Sequence, residues 1–193
     1  EGGALILKRR NDFFKIKSMK SFGYDVASPD DRKIPGNYNV INLGLNYRMS
    51  EIESAIGLHE LKKINKKILI RKLNYEYFFS KIKNLKNIRI INSASNKKFL
   101  SSYYCLTIIL KNKSKKYRND FILKLKRKGI QTSIYYPNPV PLLGYYKKKY
   151  KYKFNEFPMA CKIAYNSISF PIAPHINFRK INYMDKEIKE IIN

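Results

Sequence analysis

The order of apolar and polar residues predicts a chain that alternates strands and helices. A short apolar run at residues 4–7 predicts a buried strand. A helical pattern follows, with Asn11 as the predicted N-cap, Phe14 on the apolar face and Gly23 as the stop. Residues 28–38 hold two prolines and a glycine, so we expect a surface loop there.

A second helix has a well-marked start. Residues 40–49 read as an extended piece, and Ser50 and Glu53 then form a capping-box pattern. In this motif each of the two side chains satisfies a backbone donor at the beginning of a helix. Apolar residues recur at steps of three or four from residue 52 onward without a proline, and this pattern predicts one helix of roughly thirty residues.

The pattern changes after residue 84. Short β-rich runs at residues 88–91 and 103–110 predict strands, and residues 117–128 predict a helix that Gly129 ends. A further strand is predicted at residues 130–136. This alternation indicates a compact α/β subdomain that the long helix joins to the first part of the chain.

Composition adds an extreme charge to this picture. The 193 residues include 40 Lys and Arg against 14 Asp and Glu, which gives a formal net charge of +26. A polyanionic partner would explain the charge, and so would a genome biased toward A and T, because Lys, Ile, Asn and Tyr are all abundant and have A/T-rich codons. The breadth of that bias favours the second explanation.

Several classes of protein are excluded or disfavoured. No uninterrupted apolar stretch reaches the roughly 18 residues that span a bilayer, so we expect no membrane partner. Cys105 and Cys161 are too few for a disulfide framework and suit a reducing cytosol, which predicts a cytoplasmic protein. His59 and His175 have no Cys or carboxylate neighbours at ligand spacing, so no metal site is expected.

One segment suggests nucleic-acid binding. Residues 145–153 contain five Lys and four Tyr without an acidic residue. Aromatic stacking combined with phosphate attraction is how proteins hold single strands, so a basic single-stranded nucleic-acid-binding module is an alternative function. A solvated Lys-rich loop explains the same residues and is the interpretation we favour.

Four segments together carry a resemblance that none carries alone. In this order they resemble the second half of the DegT/DnrJ/EryC1/StrS family of pyridoxal-phosphate-dependent sugar-nucleotide aminotransferases. The most specific is Asn-Tyr-Arg-Met followed by Glu and Ala-Ile-Gly. The segments are Glu-Gly-Gly-Ala-Leu at residues 1–5, residues 43–58, residues 129–137, and Phe-Pro at 157–158 with Ser-Phe-Pro-Ile-Ala-Pro-His at 169–175.

The resemblance implies a fold. Members are PLP-dependent transferases of fold type I, so residues 1–83 would be the end of the large PLP-binding domain with the connecting helix. Residues 84–193 would be the small C-terminal α/β domain. The Schiff-base lysine of the family would lie upstream of Glu1. We therefore expect the isolated chain to be inactive, and a relative that has lost catalysis and serves regulation stays open.

The resemblance also implies site residues in a homodimer with shared active sites. Asn46 and Arg48 would bind the pyridoxal 5'-phosphate of the neighbouring subunit, although Asn46 could be a turn residue and Arg48 could pair with a carboxylate. Tyr135 and Tyr136 would line the sugar-nucleotide pocket, with strand-end packing as the alternative. His175 could be a pocket residue or a loop cap.

The implied reaction transfers an amino group from glutamate to a keto-sugar nucleotide, for amino-sugar and surface-glycan biosynthesis. This sequence departs from the family at residues 139–143, where a His and a Gln are frequent, and at Ala173, which replaces another frequent His. These departures leave the identity of the sugar, and amination at C3 or C4, open.

Overall fold

The computed structural model describes residues 2–25, 32–91 and 99–192. Glu1 of the first family segment and part of the loop predicted at residues 28–38 lie outside the described residues. The chain forms two compact units, Glu1–Lys63 and Ile64–Asn193. The boundary between the compact units follows Lys63. From the sequence, the first domain and the connecting helix are predicted to end at residue 83.

The first unit begins without the strand predicted at residues 4–7. Leu5 and Ile6 are 71% and 97% exposed, and no described strand pairs with them. An apolar run forms a strand only where another strand offers its backbone, and the described part of the unit offers none. Helix α1 spans Arg10–Met19 and has Arg9 as its N-cap instead of the predicted Asn11.

The capping box is present as predicted. The Ser50 hydroxyl accepts from the Glu53 backbone N–H at 3.2 Å, and the Ser50 N–H donates to the Glu53 carboxylate at 3.0 Å. Helix α2, Glu51–Leu61, starts at this box, and none of its residues is buried.

The single long helix is a wrong prediction. The backbone N–H of Lys63 bonds to Glu60, three residues back, at 3.0 Å, so the regular ladder is interrupted after α2. A separate helix, α3, then spans Ile64–Ile82. Apolar periodicity continues through the interruption, which is why the pattern reads as one helix.

The second unit contains a three-stranded antiparallel sheet in the order β1-β2-β3. The strands are Ile88–Ile91, Cys105–Leu110 and Ser167–Pro171. The first matches its prediction, and the second starts two residues later than predicted. Tyr103 has a φ of 47°, a left-handed conformation that a strand does not contain.

Four more α-helices lie in the described part of this unit. Helix α4 is close to its prediction, and Gly129, with a φ of 74°, lies just beyond its end as predicted. Helices α6 and α7 were not predicted. The helices are α4 (Lys115–Arg127), α5 (Gly144–Tyr150), α6 (Pro158–Asn166) and α7 (Phe178–Ile192).

One hydrophobic core holds the second unit together, and α3 belongs to it. Tyr75, Phe78 and Ile82 recur on one face of α3 and are buried against the sheet and α7. This burial explains why the boundary between the compact units precedes α3. The core also includes Leu106, Ile108, Phe121, Leu125, Ile168, Phe170, Ile181 and Ile188.

The strand predicted at residues 130–136 is reduced to a single bridge. Ser133 exchanges backbone hydrogen bonds with Ser169 of β3 at 2.8 and 2.9 Å, and no other position of the run pairs with a described strand. A ladder extends only where both backbones run alongside each other. Across the described part of the chain, none of the helices combines the length and apolar character needed to cross a bilayer.

Candidate functional site

A loop of the first unit, residues 42–48, is attached to the end of α1. The Leu45 N–H donates to the Met19 carbonyl at 2.8 Å, and the Tyr47 N–H donates to the Lys20 carbonyl at 2.9 Å. The Leu45 carbonyl in turn accepts from the Phe22 N–H at 3.1 Å. These alternating bonds fix the direction in which the side chains of Asn46 and Arg48 leave the backbone.

Two glycines allow this close approach. A Cβ on Gly44 would lie 2.6 Å from the Met19 carbonyl oxygen, and a Cβ on Gly23 would overlap the Asn42 carbonyl. Gly23 also has a φ of 77°, which disfavours other residues. The Ser18 hydroxyl adds a side-chain link, because it donates to the Tyr24 carbonyl at 2.6 Å and accepts from the Asn42 amide at 3.2 Å.

The structure brings Asn46 and Arg48 together. Arg48 Nε donates to Asn46 Oδ1 at 3.1 Å, and the guanidinium lies 5.4 Å from the centre of the Phe22 ring. Asn46 itself forms an isolated antiparallel bridge with Ser21, so its backbone is extended. Arg48 contacts no carboxylate of the described residues, and the Asn46 Nδ2 and the terminal guanidinium nitrogens remain available as donors.

The second unit holds a cleft of about 270 Å³ next to β3. Tyr135 lies in it, and the Tyr104 hydroxyl hydrogen-bonds to Tyr135 across a ring separation of 6.1 Å. This bond is the main reason that the pKa of Tyr104 is raised above its ordinary value. The lining residues are Arg71, Tyr104, Cys105, Gln131, Thr132, Ser133, Tyr135 and residues 169–173.

Tyr136 and His175 lie outside this lining. Tyr136 is 68% exposed and packs edge-on against Tyr135, with ring centres 5.8 Å apart. His175 is exposed in the loop after β3, and its carbonyl accepts from Lys180 Nζ at 3.2 Å. Of the three predicted substrate residues, only Tyr135 lines the cleft.

A buried amide on α3 fixes the loop that carries His175. Asn74 Nδ2 lies 2.6 Å from the Ile176 carbonyl, 3.3 Å from that of Ala173 and 3.4 Å from that of Ile172. Asn74 is not among the site residues predicted from the sequence. The spacing in the sequence could have identified it. Asn74 lies four residues before Phe78, which places its amide on the apolar face of the helix.

The family of the chain follows from its similarity to known proteins. The profile of the DegT/DnrJ/EryC1/StrS aminotransferase family matches residues 1–189. The chain belongs to this family. The predicted family is therefore confirmed over nearly the whole chain.

Individual family relatives are similar at moderate identity. An uncharacterized protein of Methanocaldococcus jannaschii is 29% identical over 199 residues, which cover all of this chain and 50% of that protein. The dTDP-4-amino-4,6-dideoxy-D-glucose transaminase of Escherichia coli is 25% identical over 177 residues, or 92% of this chain and 44% of the enzyme. The chain spans about half the length of the curated relatives it matches.

The fold is that of solved members of the family. The putative sugar aminotransferase Spr1654 from Streptococcus pneumoniae, in its PMP form, superposes with a TM-score of 0.83 at 19% identity. The match covers 97% of this chain and 47% of that one. The predicted fold class, the α/β fold of PLP-dependent transferases of fold type I, is confirmed.

The family implies pyridoxal phosphate, and the donor groups of the first unit fit its phosphate. An amide N–H and a planar guanidinium, both free of carboxylates of the described residues, match the acceptor oxygens of a phosphate group. None of the lysines that the structure describes is buried. The described residues therefore include no candidate for the amine that would bind the cofactor covalently.

Proposed function

We propose that this chain forms part of a nucleotide-sugar aminotransferase that moves an amino group from glutamate to a keto-sugar nucleotide. The product would be an amino sugar for surface glycans. The family match over residues 1–189 carries the proposal, and the donor pair Asn46–Arg48 supports it. Pyridoxal phosphate supplies the electron sink for such a transfer.

Asn46 and Arg48 hold the cofactor phosphate in this proposal. The Arg48–Asn46 bond uses the Oδ1 of the amide, so the Nδ2 is left to donate to a phosphate oxygen. The Phe22 ring beside the guanidinium restricts its orientation. We propose further that the phosphate belongs to the neighbouring subunit of a homodimer, so that the two active sites share residues.

The second unit binds the sugar nucleotide. Tyr135 is placed in the cleft to donate a hydrogen bond to substrate, while Tyr136 and His175 contact it from exposed positions. We also propose that the enzyme works in the cytoplasm, because Cys105 and Cys161 are both unpaired and suit a reducing compartment.

The isolated chain should lack transaminase activity. Covalent catalysis by lysine needs a neutral amine, which proteins obtain by burying the lysine or placing it beside another cation. No lysine of the described residues is buried. When the chain is mixed with pyridoxal phosphate and reduced with borohydride, we expect no stoichiometric adduct. A stable adduct at one lysine would contradict this part of the proposal.

An aminotransferase that contains this chain tests the function itself. It should transfer an amino group from glutamate to a keto-sugar nucleotide. Asn46→Ala and Arg48→Gln should each weaken cofactor binding about ten-fold or more, as expected when a charge-assisted bond is lost. The matched controls Asn84→Ala and Arg89→Gln alter exposed residues of the second unit and should bind the cofactor normally.

Sharing of sites can be tested by complementation. At a cofactor concentration too low to load the weakened site, a variant of Asn46 should be inactive alone. A variant of the Schiff-base lysine, which this proposal places outside the chain, should be inactive at any cofactor concentration. Mixed in equal amounts, they should recover about a quarter of the activity, because half of the dimers are hybrids with one intact site each. No recovery in demonstrably hybrid dimers would show that Asn46 serves its own subunit.

A further inference from the structure

Among the described residues, the cleft beside β3 contains a cation without a counter-ion. Arg71, on α3, is half-buried and lines the cleft. Within the part of the chain that the structure describes, it makes no salt bridge and no hydrogen bond. None of the described residues that line the cleft is acidic. A partly desolvated guanidinium that lacks an anion is unfavourable, and an anionic ligand would remove that cost.

Two hydroxyl groups of the same cleft are also available. Thr132 Oγ1 is enclosed and has no hydrogen-bond partner in the described part of the chain, although buried hydroxyls almost always have one. Tyr104 and Tyr135 share one hydrogen bond between their hydroxyl groups, and this bond uses one of the two protons, so the other is left to donate elsewhere. The cleft therefore offers a guanidinium and two O–H donors to an acceptor-rich ligand.

The volume restricts the ligand. Pockets that enclose a whole drug-sized molecule have volumes of about 300–1,000 Å³. At about 270 Å³ the cleft accommodates one end of a substrate and not a whole sugar nucleotide. Neutral sugar hydroxyls would leave the charge of Arg71 without an anion, whereas a carboxylate or a phosphate oxygen accepts from both the guanidinium and the hydroxyls.

We propose that this cleft binds an oxyanion group of a substrate, with Arg71 as its anchor and Tyr135 and Thr132 as additional donors. The group is either a carboxylate of the amino donor or the diphosphate of the sugar nucleotide. The inference rests on the proposed function only where it names these two sources. The binding of an oxyanion in the cleft does not depend on the cofactor.

The experiment is a residue-resolved NMR titration of this chain with inorganic pyrophosphate and, separately, with glutarate. Amide shifts of Thr132 and Ser133 report on the cleft, so anions attracted elsewhere by the net charge do not interfere. Arg71→Gln should weaken the binding at least ten-fold, and Tyr135→Phe about five-fold. Arg179→Gln, an exposed arginine at the start of α7, removes the same charge and should leave the affinity unchanged.

The outcomes separate the two sources. Arg71-dependent binding of pyrophosphate identifies the diphosphate of the sugar nucleotide, and Arg71-dependent binding of glutarate identifies the amino donor. Arg71→Lys keeps the charge but loses the forked geometry, so it should bind with intermediate affinity. Binding of neither anion, or equal weakening by Arg71→Gln and Arg179→Gln, overturns the inference.

A cleft that binds no anion can be distinguished from a chain that does not belong to an active aminotransferase. The titration uses neither cofactor nor catalysis, so a cleft that binds no anion leaves the aminotransferase proposal and its cofactor-binding variants intact. Conversely, a negative transaminase assay leaves the titration valid.

Discussion

Asn74 Nδ2 donates to the carbonyl oxygen of Ile176 at 2.6 Å, across 102 positions of sequence. The same amide lies within 3.4 Å of the carbonyls of Ile172 and Ala173. One buried side chain on α3 therefore sets the path of the backbone between the edge of the cleft and His175. We regard Asn74 as a positioning residue of the loop that carries His175.

Replacing Asn74 should destabilise the second unit. Asn74→Ala leaves buried carbonyls without a donor and should lower the free energy of unfolding by about 1–3 kcal/mol in urea denaturation. Asn74→Asp has nearly the same volume but points a carboxylate at carbonyl oxygens, so it should cost more. Asn65→Ala, at an exposed position of the same helix, is the control. An Asn74→Asp protein as stable as wild type would refute this role.

Arg118 is the only charged side chain of α4 that the structure buries, at 1% exposure. Its Nη1 donates to the carbonyls of Ala164 and Ser167, at 3.4 and 3.3 Å, where α6 ends. Burial lowers the pKa of this guanidinium below its ordinary value. The side chain thus serves as a structural donor between α4 and the start of β3.

Two substitutions separate its packing from its hydrogen bonds. Arg118→Ala removes both and should cost about 3 kcal/mol of unfolding free energy, in the range of large-to-small core substitutions. Arg118→Met keeps most of the volume and should cost about 1–2 kcal/mol for the unsatisfied carbonyls. Arg127→Ala, exposed on the same helix, should change stability by less than about 0.5 kcal/mol. Thermal or urea unfolding measures all three, and equal losses for Ala and Met would rule out a packing contribution.

The start of α2 should depend on pH. The pKa of the Glu53 carboxyl is lowered, first by the backbone N–H of Ser50 and then by its hydroxyl. A lowered pKa in the folded state means that the stabilisation is present above the ordinary value of about 4.5 and is lost as the pH falls through the folded value. Amide shifts of Ser50 and Glu53, followed by NMR in acid, should report this loss.

Glu53→Gln is the informative variant for this titration. Gln keeps an acceptor for the Ser50 N–H but does not ionise, so the acid-dependent shifts at Ser50 should disappear. Glu51→Gln removes an equal charge from the same turn and should leave them in place. If both variants retained the titration, another group would be responsible.

Residues 145–153 should bind single-stranded nucleic acid only weakly. Lys149 Nζ lies 5.8 Å from the Tyr145 ring centre and 5.3 Å from that of Tyr150, so two aromatic faces are already contacted by a lysine of the same segment. We expect weak, steeply salt-dependent binding that Tyr150→Ala leaves unchanged. Fluorescence anisotropy with a labelled oligonucleotide measures it. Tight binding lost in Tyr150→Ala but kept in Tyr183→Ala would instead support the nucleic-acid function.

Local signals in the sequence predicted local structure well. The capping box fixed the start of α2, and the apolar run at 88–91 matched β1, because both depend on neighbouring residues. Tyr135 lines the cleft. Its assignment to a substrate pocket, made from its family segment, stays a prediction.

What the sequence did not predict depends on distant partners. Whether residues 130–136 form a strand depends on β3, which meets them only at Ser133, and the interruption after α2 has no apolar or proline signal. Arg71 and Tyr104 join Tyr135 only because the sheet and α3 pack together. No periodicity within a segment contains that information.

The close approach of the backbone at Gly23 and Gly44 limits the substitutions that this protein tolerates. Neither residue has a side chain that could contact a ligand, yet a methyl group at either position displaces the loop that carries Asn46 and Arg48. In a saturation library selected for cofactor binding, both positions should be as intolerant of substitution as Asn46. A map of functional residues drawn from such a library would therefore include two positions that contribute only because they lack a side chain.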